Sequence, residues 1–400
     1  MRKLRIPIID IVRPLSLAAV AVALLAGLMI YHLGSIHPGI SQNEVPVVQA
    51  VQSNSLSGRQ ILQENSLYLP HKLGTYAIEK AGFTSISSIR AVGAVFGIMG
   101  VIAFYIIVRK WHTRRIAIMT TVLLATSSWF LHSSRLASPE VSYLLVPWLI
   151  YFGIRLQENN LRLVGLGTIF LLVTLMLYIP GMVLFIVPVA IWQRERLLKE
   201  VRQTGRLQTG VLGLGVLLGL VPLVLTFVHD SSLVLDWLGM TSSNLSIIEF
   251  LKNLLGIPLQ IFARSDYDPA THVGRLPYLD IATTTFIALG FYRYFFQRKL
   301  DRTKLLVAGL AGGAILGALN LQAVSVLLPF LYLLAAAGIT LLLQQWFTIF
   351  PRNPLARNTG VMILVGVLAM TSFYHLQRYF VAWPNTPETR QAYSIPPKTQ

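Results

Sequence analysis

His37-Pro-Gly-Ile-Ser-Gln-Asn-Glu44 runs directly into Val45-Pro-Val-Val-Gln-Ala-Val-Gln52, and this stretch follows the first long apolar segment of the chain. From Val45 onwards, valines recur at every third or fourth position, which places them on one face of a helix. Asn43 suits the N-cap of that helix, because its side chain can accept from the first free backbone N–H groups. We therefore predict an amphipathic helix that lies on a membrane surface and begins at the polar stretch.

Glu44 stands at the tip of the predicted helix, beside the bilayer. A carboxylate held at such a position is a candidate catalytic group. The alternative is that its charge only complements the partial positive charge at the start of the helix. The residues of this stretch leave the two interpretations open.

The composition is that of an integral membrane protein. Hydrophobic residues make up 54% and charged residues 12% of the 400 residues, whereas soluble domains carry about 25% charged residues. We therefore predict an all-α polytopic fold with the N-terminus inside and the C-terminus outside. Crossing the hydrocarbon core takes roughly 20 apolar residues, and about eleven segments meet or approach that length. They are centred on residues 15–34, 87–108, 115–131, 139–155, 162–178, 179–193, 209–228, 276–296, 305–320, 322–345 and 359–376.

The net charge of +17 does not indicate nucleic acid as a partner. The basic runs at 109–115, 194–206 and 298–304 all fall in loops that the predicted topology places in the cytoplasm. That distribution follows the positive-inside rule, so these runs are orientation signals. The chain has no cysteine, which excludes disulfides and thiol catalysis.

Two external loops are much longer than ordinary connections. We assign residues 1–376 to one transmembrane domain, with external loop 1 at 35–86 and external loop 4 at 229–275, and residues 377–400 to a short external tail. Long ordered loops are usually functional. In loop 4, the segment Ile247 to Leu255 predicts a second amphipathic helix in the membrane plane.

The connection between the third and fourth predicted spans carries His132, Arg135 and Glu140 to the same external side as Glu44. An ionisable group at membrane depth is costly, and a functional role is its default hypothesis, although the cost is smaller near the interface, where Glu140 is predicted to lie. We therefore expect Glu44 and Glu140 to open into one cavity. The structural alternative is a salt bridge between Arg135 and Glu140.

Loop 4 also contains Asp266, Asp268 and His272. Together these side chains can meet a divalent cation. Turn formation by the aspartates and the neighbouring proline is the interpretation that we favour.

Three patches of the first 160 residues, in this order and on the external side, resemble the GT-C superfamily of polytopic glycosyltransferases. This superfamily includes the protein O-mannosyltransferases and the lipid A aminoarabinose transferase. The patches are Pro38-Gly39 with Asn43-Glu44, then Leu69-Pro-His-Lys-Leu-Gly-Thr-Tyr76 with Gly82 to Gly93, and finally Ser134-Arg-Leu-Ala-Ser-Pro-Glu140.

The resemblance implies an enzyme of the prokaryotic plasma membrane. Such an enzyme moves a sugar, with inversion, from a polyprenyl-phosphate donor to a lipid, glycan or protein acceptor at the outer face. A carboxylate would take the proton of the acceptor, and cationic groups or a divalent metal would neutralise the lipid phosphate. The resulting candidates are Glu44, Glu140 and Asn43 at the catalytic position and Arg135, His71, Lys72, Arg90 and His132 for substrate binding.

Asn43 departs from the family pattern, which carries an acid at the corresponding position. An amide cannot serve as a base, so either Glu44 or Glu140 takes that role or the chain is an inactive scaffold. The rival from another class is a lipid-saccharide transporter or flippase. Carriers usually hold charged sites at mid-membrane, and the later predicted spans show no such acid.

Overall fold

The computed structural model describes residues 7–36, 39–157, 163–203, 205–240, 245–266 and 268–395, so His37 and Pro38 lie outside the described residues. This part of the chain is helical, with one isolated backbone pairing between Ile40 and Ile395. The α-helices are α1 Pro7–Ile30, α2 Val45–Gln52, α3 Leu69–Lys80, α4 Ile86–Trp111, α5 Arg114–Thr126, α6 Ser128–Ser134, α7 Val146–Gln157, α8 Leu163–Met176, α9 Val183–Trp192, α10 Arg194–Gln203, α11 Arg206–His229, α12 Leu233–Trp237, α13 Ile247–Phe262, α14 Ile281–Phe295, α15 Asp301–Leu319, α16 Leu328–Ile349, α17 Pro354–Gln377 and α18 Pro387–Ala392. Short 3₁₀ turns cover Pro139–Leu145, Leu321–Leu327 and Trp383–Asn385, and π turns cover Gln60–Glu64 and Arg378–Ala382.

Each predicted apolar segment coincides with a helix, which confirms the all-α fold of a membrane protein. Among the described residues, five helices are long and apolar enough to cross a membrane, or six if the bent pair α5 and α6 is one span. Of the other predicted spans, the first corresponds to α1, a helix of 24 residues, and the rest correspond to shorter or interrupted helices. The count of about eleven spans and the orientation of the termini therefore stay predictions.

The core is built around α16, which is buried along most of its length and packs against α14. Gly290 of α14 and Gly338 of α16 permit this contact, because a Cβ atom at either glycine would overlap the backbone of the partner helix. Close approach through small residues is the usual way in which membrane helices associate.

Glycines also fix α4 against the connection that follows α6. A Cβ atom on Gly93 would lie 2.7 Å from the carbonyl oxygen of Leu136, and one on Gly97 would lie 2.7 Å from Cβ of Ser134. The small-residue spacing of this helix therefore marks a close contact. The contact holds the connection with its polar residues against the start of α4.

Both amphipathic helices predicted for the external loops are formed, as α2 and α13. Val48 and Val51 are buried, which confirms the apolar face of α2. The N-cap is Glu44, however, and not Asn43 as predicted, and Glu44 makes no side-chain capping bond because its carboxylate turns towards α4. The location of either helix in the plane of a membrane stays a prediction.

The last described residues of the chain join the two long loops. Trp383 and Tyr393 donate from their side chains to the backbone carbonyls of Pro269 and Ala270 in loop 4, at 3.1 Å each. Ile395 pairs with Ile40 of loop 1. The described part of the predicted tail is therefore packed against the loops.

Candidate active site

The carboxylate of Glu44 is fully buried and bonded through both oxygens. Arg90 donates to it from Nε at 2.7 Å and from Nη2 at 2.8 Å. The backbone N–H of Ala137 donates at 2.9 Å, and the N–H and hydroxyl of Ser41 donate at 3.1 and 3.2 Å. Burial by itself would raise the pKa of Glu44, but the bonds and charge of Arg90, with Ala137 and Ser41, hold the pKa below its usual value. Glu44 therefore ties loop 1 to α4 and to the connection after α6.

Arg90 completes this tie with its remaining donors. Its Nη1 donates to the carbonyl of Leu33 and its Nη2 to that of Gly39, both at 3.2 Å. A bidentate arginine–carboxylate pair with further backbone partners is a strong, directional contact. Because these donors are engaged inside the protein, the geometry does not support the predicted binding of a lipid phosphate by Arg90.

Arg135 closes the end of α1 and does not pair with Glu140. Its Nη1 donates to the carbonyl of Leu28 at 2.8 Å, and its Nη2 donates to the carbonyl of Tyr31. A cation is favourable at that position because the C-terminal end of a helix is partly negative. In the described structure the alternative of an Arg135–Glu140 salt bridge is therefore wrong.

A cavity of about 290 Å³ lies where loop 1, the connection after α6, loop 4 and the 3₁₀ turn before α16 meet. Glu140 opens into this cavity, whereas Glu44 does not, so the expected shared opening is wrong for Glu44. The described lining residues include three carboxylates and two imidazoles but no lysine or arginine. The lining consists of Asn43, Trp129, His132, Ser133, Leu136, Ser138, Glu140, Val141, Gln260, Asp266, Asp268, Thr271, His272, Tyr278, Leu321, Gln322, Val324 and Ser325.

Glu140 is the second residue of the turn Pro139–Leu145 and is half-buried at the wall of the cavity. The hydroxyl of Ser138 donates to its Oε2. Burial raises the pKa of Glu140, in contrast to that of Glu44. A base acts best when its pKa lies near the working pH. Of the two predicted glutamates, Glu140 is thus the one that opens into the cavity and whose pKa is raised.

The acidic segment of loop 4 folds as a turn, as favoured from the sequence. Asp268 accepts from the backbone N–H of Ala270 at 3.0 Å and from the hydroxyl of Thr271 at 2.6 Å. Asp266 accepts from Nε2 of Gln260 at 2.6 Å. Within the described ranges, no three histidine or acidic side chains are arranged to hold a metal ion. The residues therefore do not fit the divalent cation that was considered for this segment.

The turn orients His272. Thr271 gives its single hydroxyl proton to Asp268, so its oxygen accepts from Nδ1–H of His272 at 2.8 Å. In the neutral ring the lone pair then lies on Nε2, which is buried without a hydrogen-bond partner. Burial lowers the pKa of His272 to about 4, so the ring is neutral near pH 7. His272 is thus a lining residue of the cavity whose neutral imidazole keeps one buried acceptor without a hydrogen-bond partner.

The other predicted binding residues divide between the cavity and α3. His132 lines the cavity and packs its ring edge against Trp383, with centroids 4.2 Å apart. His71 and Lys72 lie on α3 and are not among the lining residues. Lys72 donates from Nζ to the carbonyl of Asn65 at 2.7 Å, and burial lowers its pKa to about 8. The predicted set is thus brought together only in part, through Asn43, Glu140 and His132.

Buried His71 predicts an acid-sensitive fold. Burial lowers the pKa of His71 to about 3, and the neighbouring charge of Lys72 acts in the same direction. The unfolded chain therefore binds a proton first as the pH falls below about 6.5, and stability is lost from there down to the folded pKa. Between pH 7 and pH 5, His71 should lower the free energy of unfolding by about 2 kcal/mol, at about 1.4 kcal/mol per pH unit.

The test compares thermal unfolding of the wild type and of His71→Leu in detergent at several pH values. The variant should lose less stability between pH 7 and pH 5 than the wild type, whatever its stability at pH 7. Parallel curves for the two proteins would contradict a buried neutral imidazole at this position.

Gln260, Gln322 and Ser325 line the cavity but were not predicted. Gln322 and Ser325 stand at the start of a long apolar segment. Polar residues in such a segment often mark a functional site. The sequence therefore contained a signal for Gln322 and Ser325. Nothing in the sequence singled out Gln260, which is one of several polar residues on α13.

No family model and no curated protein matches this chain at a significant level. The architecture described above, with two long connections over a polar cavity, is that of a helical membrane protein. It is similar to the solved structure of the archaeal oligosaccharyltransferase AglB from Archaeoglobus fulgidus in complex with an inhibitory peptide and a dolichol-phosphate.

The two structures superpose with a TM-score of 0.51 at 14% sequence identity. The similarity covers 95% of this chain and 56% of that one, so the chain spans little more than half the length of the oligosaccharyltransferase. At this identity the likeness concerns the fold. It confirms the predicted GT-C-like architecture, and the subfamily stays a prediction.

Proposed function

We propose that this protein is a membrane glycosyltransferase that moves a sugar from a polyprenyl-phosphate donor to an acceptor at the outer face of a prokaryotic plasma membrane. The observation that carries the proposal is the cavity between the two long loops, which is lined by Glu140 and His272. The GT-C-like fold supports it, since the similar structure was determined with a dolichol-phosphate and a peptide.

In the proposed reaction Glu140 acts as the base. Its carboxylate takes the proton from a hydroxyl or amine of the acceptor while that atom bonds to the anomeric carbon of the sugar. The bond from this carbon to the phosphate oxygen breaks, and the lipid phosphate leaves with the electron pair. Attack from the face opposite the leaving group inverts the anomeric centre.

The remaining lining groups suit the sugar and the acceptor better than the phosphate. Asp266 and Asp268 place negative charge where the sugar develops oxocarbenium character. The neutral Nε2 of His272 has no hydrogen-bond partner among the described residues, so it can accept a hydrogen bond from a hydroxyl group and orient the acceptor. Since Arg90, Arg135 and Lys72 are engaged elsewhere, we place the lipid phosphate outside the acidic cavity, towards the surrounding lipid.

The test is sugar transfer by the purified protein in liposomes. Polyprenyl-phosphate-linked hexose and pentose, labelled in the sugar, are supplied with an envelope extract as acceptor. We expect label in the acceptor fraction and none with protein denatured beforehand. Label that crosses sealed vesicles without being transferred would overturn the proposal in favour of a flippase, and neither transfer nor flux would favour an inactive scaffold.

A further inference from the structure

A second cavity, of about 470 Å³, lies between α7, α8, α9, α15 and α16. Its described lining shares no residue with the candidate active site. Pro188, Ala190 and Ala308 line it and are also exposed at the surface of the molecule. The cavity is therefore a groove that opens sideways between apolar helices. Its volume is in the usual range of ligand sites, about 300–1,000 Å³.

Gln193 is the one polar side chain among the described residues of this groove. The side chain is buried, and its Nε2 donates to the carbonyl of Gly153 at 3.2 Å. Only the amide nitrogen can donate to a carbonyl, so the orientation of the amide is fixed. Its Oε1 is buried without a hydrogen-bond partner. Such an acceptor is costly, and a ligand with an O–H or N–H group at this end would satisfy it.

The same end of the groove is positively charged. Gln193 is followed at once by α10, on which Arg194 and Lys199 are exposed. Lys304, in the first turns of α15, is also exposed, and Arg196 of α10 approaches Asp301 of α15 at 3.4 Å. Side chains from the first turns of α10 and α15 thus meet at this end, where cations are in excess. From there the groove runs along apolar side chains alone.

We propose that this groove binds one anionic phospholipid whose headgroup carries hydroxyl groups. One acyl chain lies along the apolar wall between α9 and α15. A headgroup hydroxyl donates to Oε1 of Gln193, and the phosphate lies beside the cations of α10. The groove thus offers an apolar wall for the acyl chain, one unsatisfied acceptor for the headgroup hydroxyl and a cationic end for the phosphate. This binding does not depend on the proposed transfer reaction.

The test uses liposomes that contain phosphatidylglycerol with a photoreactive diazirine in one acyl chain. After irradiation, mass spectrometry of peptides should find the label concentrated on α9 and α15 and not on α11, which is the most exposed of the long apolar helices. Ala308→Phe blocks the groove and should lower the labelling about tenfold. Ala311→Phe is the matched control, because Ala311 is exposed on the same helix but does not line the groove, and it should label like the wild type.

Headgroup recognition is tested with the same diazirine chain on phosphatidylcholine, which lacks a headgroup hydroxyl and a net negative charge. The wild type should label less with this lipid, and Gln193→Leu should reduce the preference, because it removes the acceptor for the headgroup hydroxyl and leaves the cations of α10 in place. Ile315→Trp, at an exposed lining position, is a second blocking variant should Ala308→Phe fail to fold. Three results would each overturn the proposal. They are equal labelling by both lipids, labelling of α11 as strong as that of α9 and α15, and cross-linking between two copies of the chain.

Discussion

Glu44→Gln should destabilise the protein by about 3–5 kcal/mol, because removing one partner of a buried ion pair leaves the other charge uncompensated. Arg90 would remain buried with a neutral amide in place of the carboxylate that it contacts at 2.7 and 2.8 Å. The amide would also turn a donor group towards the N–H of Ala137 or of Ser41. We expect a strongly lowered thermal unfolding temperature in detergent, together with a lower yield from membranes.

Two controls separate this effect from the loss of any surface charge. Glu64→Gln is the matched change at an exposed carboxylate, 3.9 Å from Nε of Arg59, and exposed pairs of this kind contribute about 0–1 kcal/mol. The double variant Glu44→Leu with Arg90→Leu removes both buried charges and should be less destabilised than Glu44→Gln. A Glu44→Gln protein that unfolds like the wild type but has lost transfer activity would instead restore Glu44 as the base.

The positions of the helices and of the two long loops were predictable because they follow from local patterns. Apolar segments of sufficient length form helices in a membrane, since the backbone groups have no other partners there. The valine spacing of α2 likewise identified its buried face. The number of spans was harder to predict. The composition of short apolar helices such as α8 and α9 does not show whether they cross a bilayer or only enter it.

The directions of the side chains could not be predicted in the same way. Asn43 and Glu44 are adjacent, yet Asn43 faces the cavity and Glu44 faces Arg90, which is 46 residues further along the chain. Arg135 and Glu140 are close in sequence, but α6 ends so that Arg135 reaches the end of α1. Residue type and spacing indicated that charged groups gather at one face. Which of them meet a substrate depends on how α1, α4 and the loops pack.

Glu140→Gln should lower the rate of sugar transfer about 10²–10⁴-fold, the usual contribution of a general base, with little change in unfolding temperature. The side chain is half-buried at the cavity wall, and its described hydrogen-bond donor is the hydroxyl of Ser138. The glutamine keeps the shape and that contact but cannot take a proton. Burial raises the pKa of Glu140. As the pH is lowered, the wild-type rate should therefore begin to fall at a higher pH than it would if the base were an exposed carboxylate.

The measurement is the initial rate of labelled-sugar transfer in liposomes for the wild type, for Glu140→Gln, for Asn43→Asp and for the double variant that carries both substitutions. Asn43→Asp adds an acid to the same cavity. If Glu140 is the base, the wild type is active and Asn43→Asp does not rescue Glu140→Gln, because its carboxylate stands on loop 1 rather than on the turn that holds Glu140. If the amide at Asn43 has silenced the enzyme, the wild type transfers nothing and Asn43→Asp gains activity. Full activity of Glu140→Gln would exclude Glu140 as the base and direct attention to the Nε2 acceptor of His272.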